Sequence, residues 1–208
     1  MHSGDHHQAI WQELPEGLQP SDFALRRAFL LGRVRAGERV LDVGCGEGRF
    51  AQELARSGCT VSAIDVAEEP LRRARLLMPG LDARLVRAGE PWPLEDSSFD
   101  AVWAGEVIEH VADTAAWLSE LRRVLRSGGS LLLSTPAHEP LTRMRMGISE
   151  GAFAERLNPL GDHLRFYTRS MLAGLIAEFG FEQVRVRAAG GLPGARRVLL
   201  ASAVRRRY

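Results

Sequence analysis

The chain has 208 residues, of which 45% are hydrophobic and 25% charged, the composition of one globular domain. Its 27 basic and 26 acidic residues nearly cancel to a net charge of +1, which argues against a nucleic-acid binder that works by neutralising phosphates. Every basic residue is an arginine, and a chain without lysine can support neither Schiff-base chemistry nor a P-loop.

The chain opens with Met1, His2, Ser3, Gly4, Asp5, His6 and His7, which lack the cationic and apolar blocks of a signal peptide. The three histidines read as a mobile terminus rather than as ligands. Residues 1–30 as a whole read as an arm or cap ahead of a domain over 31–208. From there, short apolar strands alternate with helical periodicity. A β-branched run over 39–43 leads into a glycine turn, and Phe50, Ala51, Leu54 and Ala55 then share one helical face. A second strand follows over 60–65 and a helix over 69–77, stopped by Pro79 and Gly80.

Further strands are predicted over 84–87 and 99–104. The stripe Trp117, Leu118, Leu121, Val124 and Leu125 predicts a helix closed by Gly128 and Gly129. A buried strand over 130–135 ends at Pro136. The stretch 137–165 is irregular and reads as a lid or substrate-binding insertion, with Met144, Met146 and Phe153 as an apolar wall. A helix over 169–179 and two strands over 181–188 and 197–204 complete the chain. Repeated βαβ units imply a doubly wound α/β fold with a mainly parallel sheet, and the short final loop implies one antiparallel strand. No apolar run is long enough to cross a bilayer. Cys45 and Cys59 suggest neither a disulfide nor a zinc site. The reading is a soluble cytoplasmic protein.

Two features carry chemistry. The first is the turn Gly44, Cys45, Gly46, Glu47, Gly48, whose glycines permit a sharp bend and close approach to a ligand. Asp65 ends the next strand, where a carboxylate accepts the hydroxyl hydrogens of a ribose. A nicotinamide dinucleotide is disfavoured because Arg49 stands where that motif needs its last glycine. The second feature is Glu106, Val107, Ile108, Glu109, His110, directly after the fourth strand. Residues three and four apart share a helical face, so Glu106, Glu109 and His110 can converge. His163 lies in a later string, Asp162, His163, Leu164, Arg165, Phe166, Tyr167, Thr168.

The strings VLDVGCGEGRF, AIDV, SSFDAVWAGEVIEHVAD and LRRVLRSGGSLLLSTP together resemble class I S-adenosylmethionine-dependent methyltransferases. The resemblance implies a Rossmann-like seven-stranded sheet of order 3-2-1-4-5-7-6, with the cofactor over the C-terminal strand ends. It implies that Asp42, Gly44 and Gly46 line the methionine portion, within the turn that includes Cys45 and Gly48. It also implies that Asp65 holds the ribose, that Val66 packs on the adenine and that the Ala104 carbonyl meets the ammonium group. Gly89 and Glu90 stand where the family often places an acid against the adenine amino group.

The E-x-x-E-H string is similar to that of ubiquinone-biosynthesis O-methyltransferases and of small-RNA 2′-O-methyltransferases. Carried over, Glu106, Glu109, His110 and His163 become ligands of one divalent metal, for which Mn, Fe or Zn suits mixed oxygen and imidazole donors better than Mg. The metal-free alternative keeps His110 or His163 as a general base beside Glu109. The expected activity is methyl transfer from S-adenosyl-L-methionine to a small-molecule acceptor, at a hydroxyl oxygen. Three alternatives stand beside it: an RNA 2′-O-methyltransferase, a non-catalytic protein of the same fold, and a nicotinamide-binding protein.

Overall fold

Alternate residues of a strand face opposite sides of its sheet, and in this chain both sides are apolar. Strand β1 (Arg39–Val43) sends Val40 into one core cluster and Leu41 into another. The fourth strand repeats the pattern with Trp103 and Val102. A sheet buried on both faces needs helices on both faces, and right-handed βαβ crossovers supply them.

The computed structural model describes residues 3–157 and 163–207 and shows this arrangement. The remaining strands are β2 (Thr60–Asp65), β3 (Asp82–Leu85), β4 (Phe99–Gly105), β5 (Leu125–Pro136), β6 (Phe181–Ala189) and β7 (Val198–Arg205). They form one seven-stranded sheet of order β3-β2-β1-β4-β5-β7-β6. Strands β1 to β5 pair in parallel, and β7 runs antiparallel to both β5 and β6.

On one face, α2 (Phe23–Leu31) and α3 (Arg49–Arg56) pack Phe29, Leu30, Phe50 and Leu54 against Val40, Trp103 and Leu200. On the other, α5 (Thr114–Val124) and α8 (Arg169–Glu178) pack Leu118, Leu121, Leu172 and Ile176 against Leu41, Val102 and Leu199. Each such side chain contributes about 1.5–3 kcal/mol on burial. Helix α4 (Glu68–Leu77) covers the β2–β3 edge through Leu71. Helix α1 (Ser3–Glu13) lies against α4, and α6 (Pro140–Ile148) and α7 (Glu150–Arg156) follow β5. Among the described residues no helix is long and apolar enough to cross a membrane.

The largest departures from the sequence expectation fall at β3 and β5, each for a physical reason. Strand β3 begins two residues before the predicted start because pairing, such as Ser62 with Asp82, sets its register. An edge strand with Leu85 exposed has little alternation of its own to read. Strand β5 begins at Leu125, so Gly128 and Gly129 do not end a helix. They sit where the register shifts between the Phe99–Leu125 and Ala101–Ser130 pairs. A Cβ at Gly129 would lie 2.9 Å from the Arg126 carbonyl oxygen and 3.0 Å from that of Asp100, so only glycine fits the bulge.

Candidate active site

The turn after β1 is tied to β2 by backbone before any ligand is considered. The amides of Gly44 and Cys45 donate to the Ile64 carbonyl at 2.8 and 3.1 Å. Gly44 and Gly46 hold φ of 64° and 53°, and a Cβ on Gly44 would come within 2.5 Å of the Val107 side chain. Opposite them, Asp65 Oδ2 accepts the Gly46 amide at 3.0 Å and Oδ1 accepts the Ala67 amide at 3.1 Å. Burial pushes this carboxyl up, and the two amides pull it back. Each oxygen retains a second lone pair, so the group is fixed in direction and still able to accept two hydroxyls.

A cavity of about 860 Å³ opens over the C-terminal ends of β1, β2 and β4, within the usual range for small-molecule sites. Gly44, Cys45, Gly46, Asp65, Val66, Gly89 and Glu90 of the predicted cofactor residues line it. Three others do not. Gly48 faces α4, where a Cβ would lie 3.1 Å from that of Ala74, so this glycine serves helix packing. Ala104 is sealed inside the sheet between Val43 and Leu133, and Gly105 reaches the cavity in its place. Asp42 lies buried beneath the turn, and its Oδ2 has no hydrogen-bond partner among the described residues. Burial raises its pKa from 3.8 to about 7.

Sequence reasoning missed Arg26. The residue is 2% exposed and lines the cavity. Its guanidinium sits 4.9 Å from the Phe50 ring centroid and 5.9 Å from that of Trp103. Nη1 donates to the Ser21 carbonyl at 3.2 Å, while Nε has no hydrogen-bond partner among the described residues. Desolvation lowers its pKa, and the charges of Glu106, Glu109 and Asp42 oppose that shift. The signal was legible: Arg26 occupies the apolar stripe of α2, three residues after Phe23 and four before Leu30.

The acidic and histidine residues come together in part. Ile108–His110 forms a single 3-10 turn, and Glu106 before it holds a left-handed φ of 58°. Such strain in a non-glycine residue persists only where the surroundings impose it. Here Glu106 Oε1 accepts the Ser134 hydroxyl at 2.9 Å, and the Glu106 amide donates to the Ser134 carbonyl. Glu109 is 1% exposed; Oε2 accepts the Thr135 hydroxyl at 2.9 Å and Oε1 has no hydrogen-bond partner among the described residues. Burial pushes both carboxyls up, and the Glu106 charge drives Glu109 further.

The distant His163 is delivered by backbone. The amides of Leu164 and Arg165 donate to the Glu109 carbonyl at 2.8 and 3.1 Å, and the Arg165 side chain donates to the carbonyls of Val111 and Ala112. The His163 ring then lies 4.8 Å from that of His110. Glu109 Oε1 is 3.9 Å from His110 Nε2, and one donor atom each of Glu109, His110 and His163 lies within 4.8 Å of the others. That is slightly wider than the ~4.4 Å that two ligands about 2.2 Å from one ion can span. Glu106, turned to Ser134, stands outside this group of three.

Two expectations about the cavity walls change. His6 is exposed, but His7 does not dangle: helix α1 carries it to 5.7 Å from the His110 ring and onto the cavity wall. His2 lies outside the described residues. Met144 and Phe153, by contrast, are exposed, α6 buries no side chain, and none of the described residues of 137–165 lines the cavity. Ile10 and Trp11 of α1, with Leu14 just after it, supply the apolar wall instead, because α1 is held across the opening by α4.

Slotting β7 antiparallel between β5 and β6, beneath a cavity at the parallel strand ends, gives the sheet that the motifs implied, that of a class I S-adenosylmethionine-dependent methyltransferase. The chain belongs to the methyltransferase domain family, whose profile matches residues 17–186. It is 40% identical over 134 residues to the ubiquinone biosynthesis O-methyltransferase of Xanthomonas oryzae pv. oryzae (strain PXO99A), covering 62% of this chain and 55% of that protein. The protein of the same name from Thiobacillus denitrificans is 33% identical over 153 residues, covering 71% of this chain and 66% of its own length. The chain thus spans little more than half of the Xanthomonas relative. Among solved structures, Haemonchus contortus phosphoethanolamine N-methyltransferase 2, bound to phosphomonomethylethanolamine and S-adenosylhomocysteine, matches with a TM-score of 0.73. It is 18% identical, over 99% of this chain and 58% of that one, so the likeness is one of fold.

Proposed function

We propose that the chain transfers a methyl group from S-adenosylmethionine to a hydroxyl oxygen of a small molecule. The observation that carries this reading is Asp65, a buried carboxylate aimed by two backbone amides into a cavity of about 860 Å³ while keeping acceptor capacity. The O-methyltransferase names of the relatives support the choice of oxygen. Residues present fit the cofactor by chemistry. Asp65 would hold the ribose hydroxyls, Val66, Gly89 and Glu90 would border the adenine, and the Gly44 and Gly46 backbones would flank the remainder. Arg26, a buried cation with an unpaired Nε, would meet the carboxylate of the methionine portion. When bound, this cofactor supplies an electrophilic methyl group.

The chain's own task is then alignment, exclusion of water and removal of the acceptor proton. Trp11 and Trp117 wall the cavity, and His110 lies on its lining with His163 behind it. His110, on the lining, can take the hydroxyl proton, and Glu109, 3.9 Å from its Nε2, would stabilise the resulting imidazolium when ionised. A second reading adds a metal. Glu109 Oε1, buried beside two imidazoles and without a hydrogen bond among the described residues, favours a divalent ion held by Glu109, His110 and His163, with Mn, Fe or Zn preferred over Mg. Such an ion would lower the pKa of the acceptor hydroxyl.

Labelled methyl donor offered with a panel of hydroxylated aromatics, amines and a short RNA tests both readings. Label in an ether product supports oxygen methylation of a small molecule, and label confined to amines or to RNA overturns it. Chelator-resistant turnover removes the metal.

A further inference from the structure

The N-terminal helix is tied across the cavity by contacts that no motif announced. Gln8 Oε1 accepts the Glu69 amide, at the first turn of α4, at 3.0 Å. The buried Arg73 donates to the Trp11 carbonyl at 2.7 Å, and its guanidinium lies 5.7 Å from the Trp11 ring centroid. Beyond α1, the Arg72 guanidinium pairs with Glu16 at 2.8 Å, and the Gly17 amide donates to Glu47 within the glycine turn at 3.1 Å. Between these ties, the Trp11 indole closes on Gly46: a Cβ there would lie 2.9 Å from Cζ2. The same Gly46 donates its amide to Asp65. Trp11 therefore roofs the turn at the point where the ribose carboxylate is anchored, and His7, one helical turn earlier, reaches His110.

We infer that α1 is a cofactor-binding strap, with Trp11 as its contact on the adenosyl portion of the methyl donor, and that the strap must lift for the donor to enter or its product to leave. The inference rests on the cofactor reading above. It follows from enclosure: a ligand seated against Asp65 has the turn beneath it and Trp11 above it. The ties suit a latch. Most are single hydrogen bonds or exposed ion pairs, individually weak, so they can open together without unfolding the sheet.

The test is the dissociation rate of S-adenosylhomocysteine, chased with excess unlabelled ligand, in wild type, Trp11→Ala and Gln8→Ala. The strap predicts release at least tenfold faster in Trp11→Ala. It predicts a smaller acceleration in Gln8→Ala, which cuts one tie and leaves the packing alone. Backbone amides of residues 8–14 should also exchange hydrogen more slowly once ligand is bound. Should wild type bind no S-adenosylhomocysteine, the cofactor reading itself falls. Should wild type bind and both variants release at the wild-type rate, only the strap is overturned. If Trp11→Ala fails to fold, the Gln8→Ala rate and the exchange of residues 8–14 decide alone, and no change in either contradicts the strap.

Discussion

The floor of the proposed donor side is built from one stretch of chain, in which the end of β1, the glycine turn and the end of β2 hydrogen-bond to one another through backbone amides. The acceptor side needs three distant pieces: the turn at 106–110, the hydroxyls of Ser134 and Thr135 on β5, and the segment carrying His163. The donor side is therefore rigid by local geometry. The acceptor side instead brings two buried carboxyls near each other, holds one of them on a strained backbone, and is fixed by side-chain hydroxyls. This division suits its chemistry. A cofactor is the same in every turnover, so its seat can be preformed, whereas proton transfer needs groups whose charge is easily changed.

That contrast makes separable predictions. The largest effect should follow His110→Ala, which removes an imidazole from the acceptor side only. Turnover is expected to fall by about 10²–10⁴-fold, the usual contribution of a general base, with S-adenosylhomocysteine affinity within twofold of wild type. Steady-state rates and calorimetric titration on the same preparation check both halves of the statement. A large loss of affinity would show that the two sides are not independent.

Asp42 gives the donor side its own pH dependence. Its pKa rises from 3.8 to about 7 on folding, so the native state keeps a proton that the unfolded chain releases. The associated stability is complete below pH 4, declines as pH rises towards 7 and is gone above it. Asp42→Asn cannot ionise, so it should remove this decline and be more stable than wild type at pH 8, by on the order of 2–4 kcal/mol. Urea unfolding of ligand-free protein at pH 5 and pH 8 measures it, and an unchanged difference between the two pH values contradicts the assignment.

A smaller effect belongs to Arg165, which clamps the His163 segment to the carbonyls of Val111 and Ala112. Arg165→Ala should lower turnover about fivefold to tenfold, in line with roughly 1–1.5 kcal/mol of lost hydrogen bonding, and leave donor affinity alone. Equal rates in the variant and wild type would mean that the backbone bonds from Leu164 and Arg165 to Glu109 suffice.

The two sides also differ in how far they could be read from the sequence. Gly44, Gly46 and Asp65 announce themselves because their roles depend on backbone conformation and strand position, both encoded within a few residues. Glu109, His110 and His163 could be named from a motif, but their spacing in space could not. Glu106 illustrates the limit: it shares a helical face with Glu109 and His110 only if the segment is a regular helix. The chain adopts a left-handed residue and one 3-10 turn there, which points Glu106 to Ser134. Arg26 and Trp11 escaped notice because each belongs to a helix whose partner is remote in sequence, Trp103 and Phe50 for one and Gly46 for the other. Two stretches read as possible covers, 1–30 and 137–165; α6 of the second faces outward, whereas α1, within the first, covers the cavity.

Asp65 is the proposed anchor of the S-adenosyl cofactor, on which the donor side rests. Calorimetric titration of wild type and Asp65→Ala with S-adenosylhomocysteine, and of wild type with NADH, tests this directly. The predicted result is binding of S-adenosylhomocysteine by wild type, a loss of about fivefold to 150-fold in affinity in Asp65→Ala, from roughly 1–3 kcal/mol of lost hydrogen bonds, and weaker or no binding of NADH. Unchanged affinity in Asp65→Ala, or NADH binding as tight as that of S-adenosylhomocysteine, would contradict it.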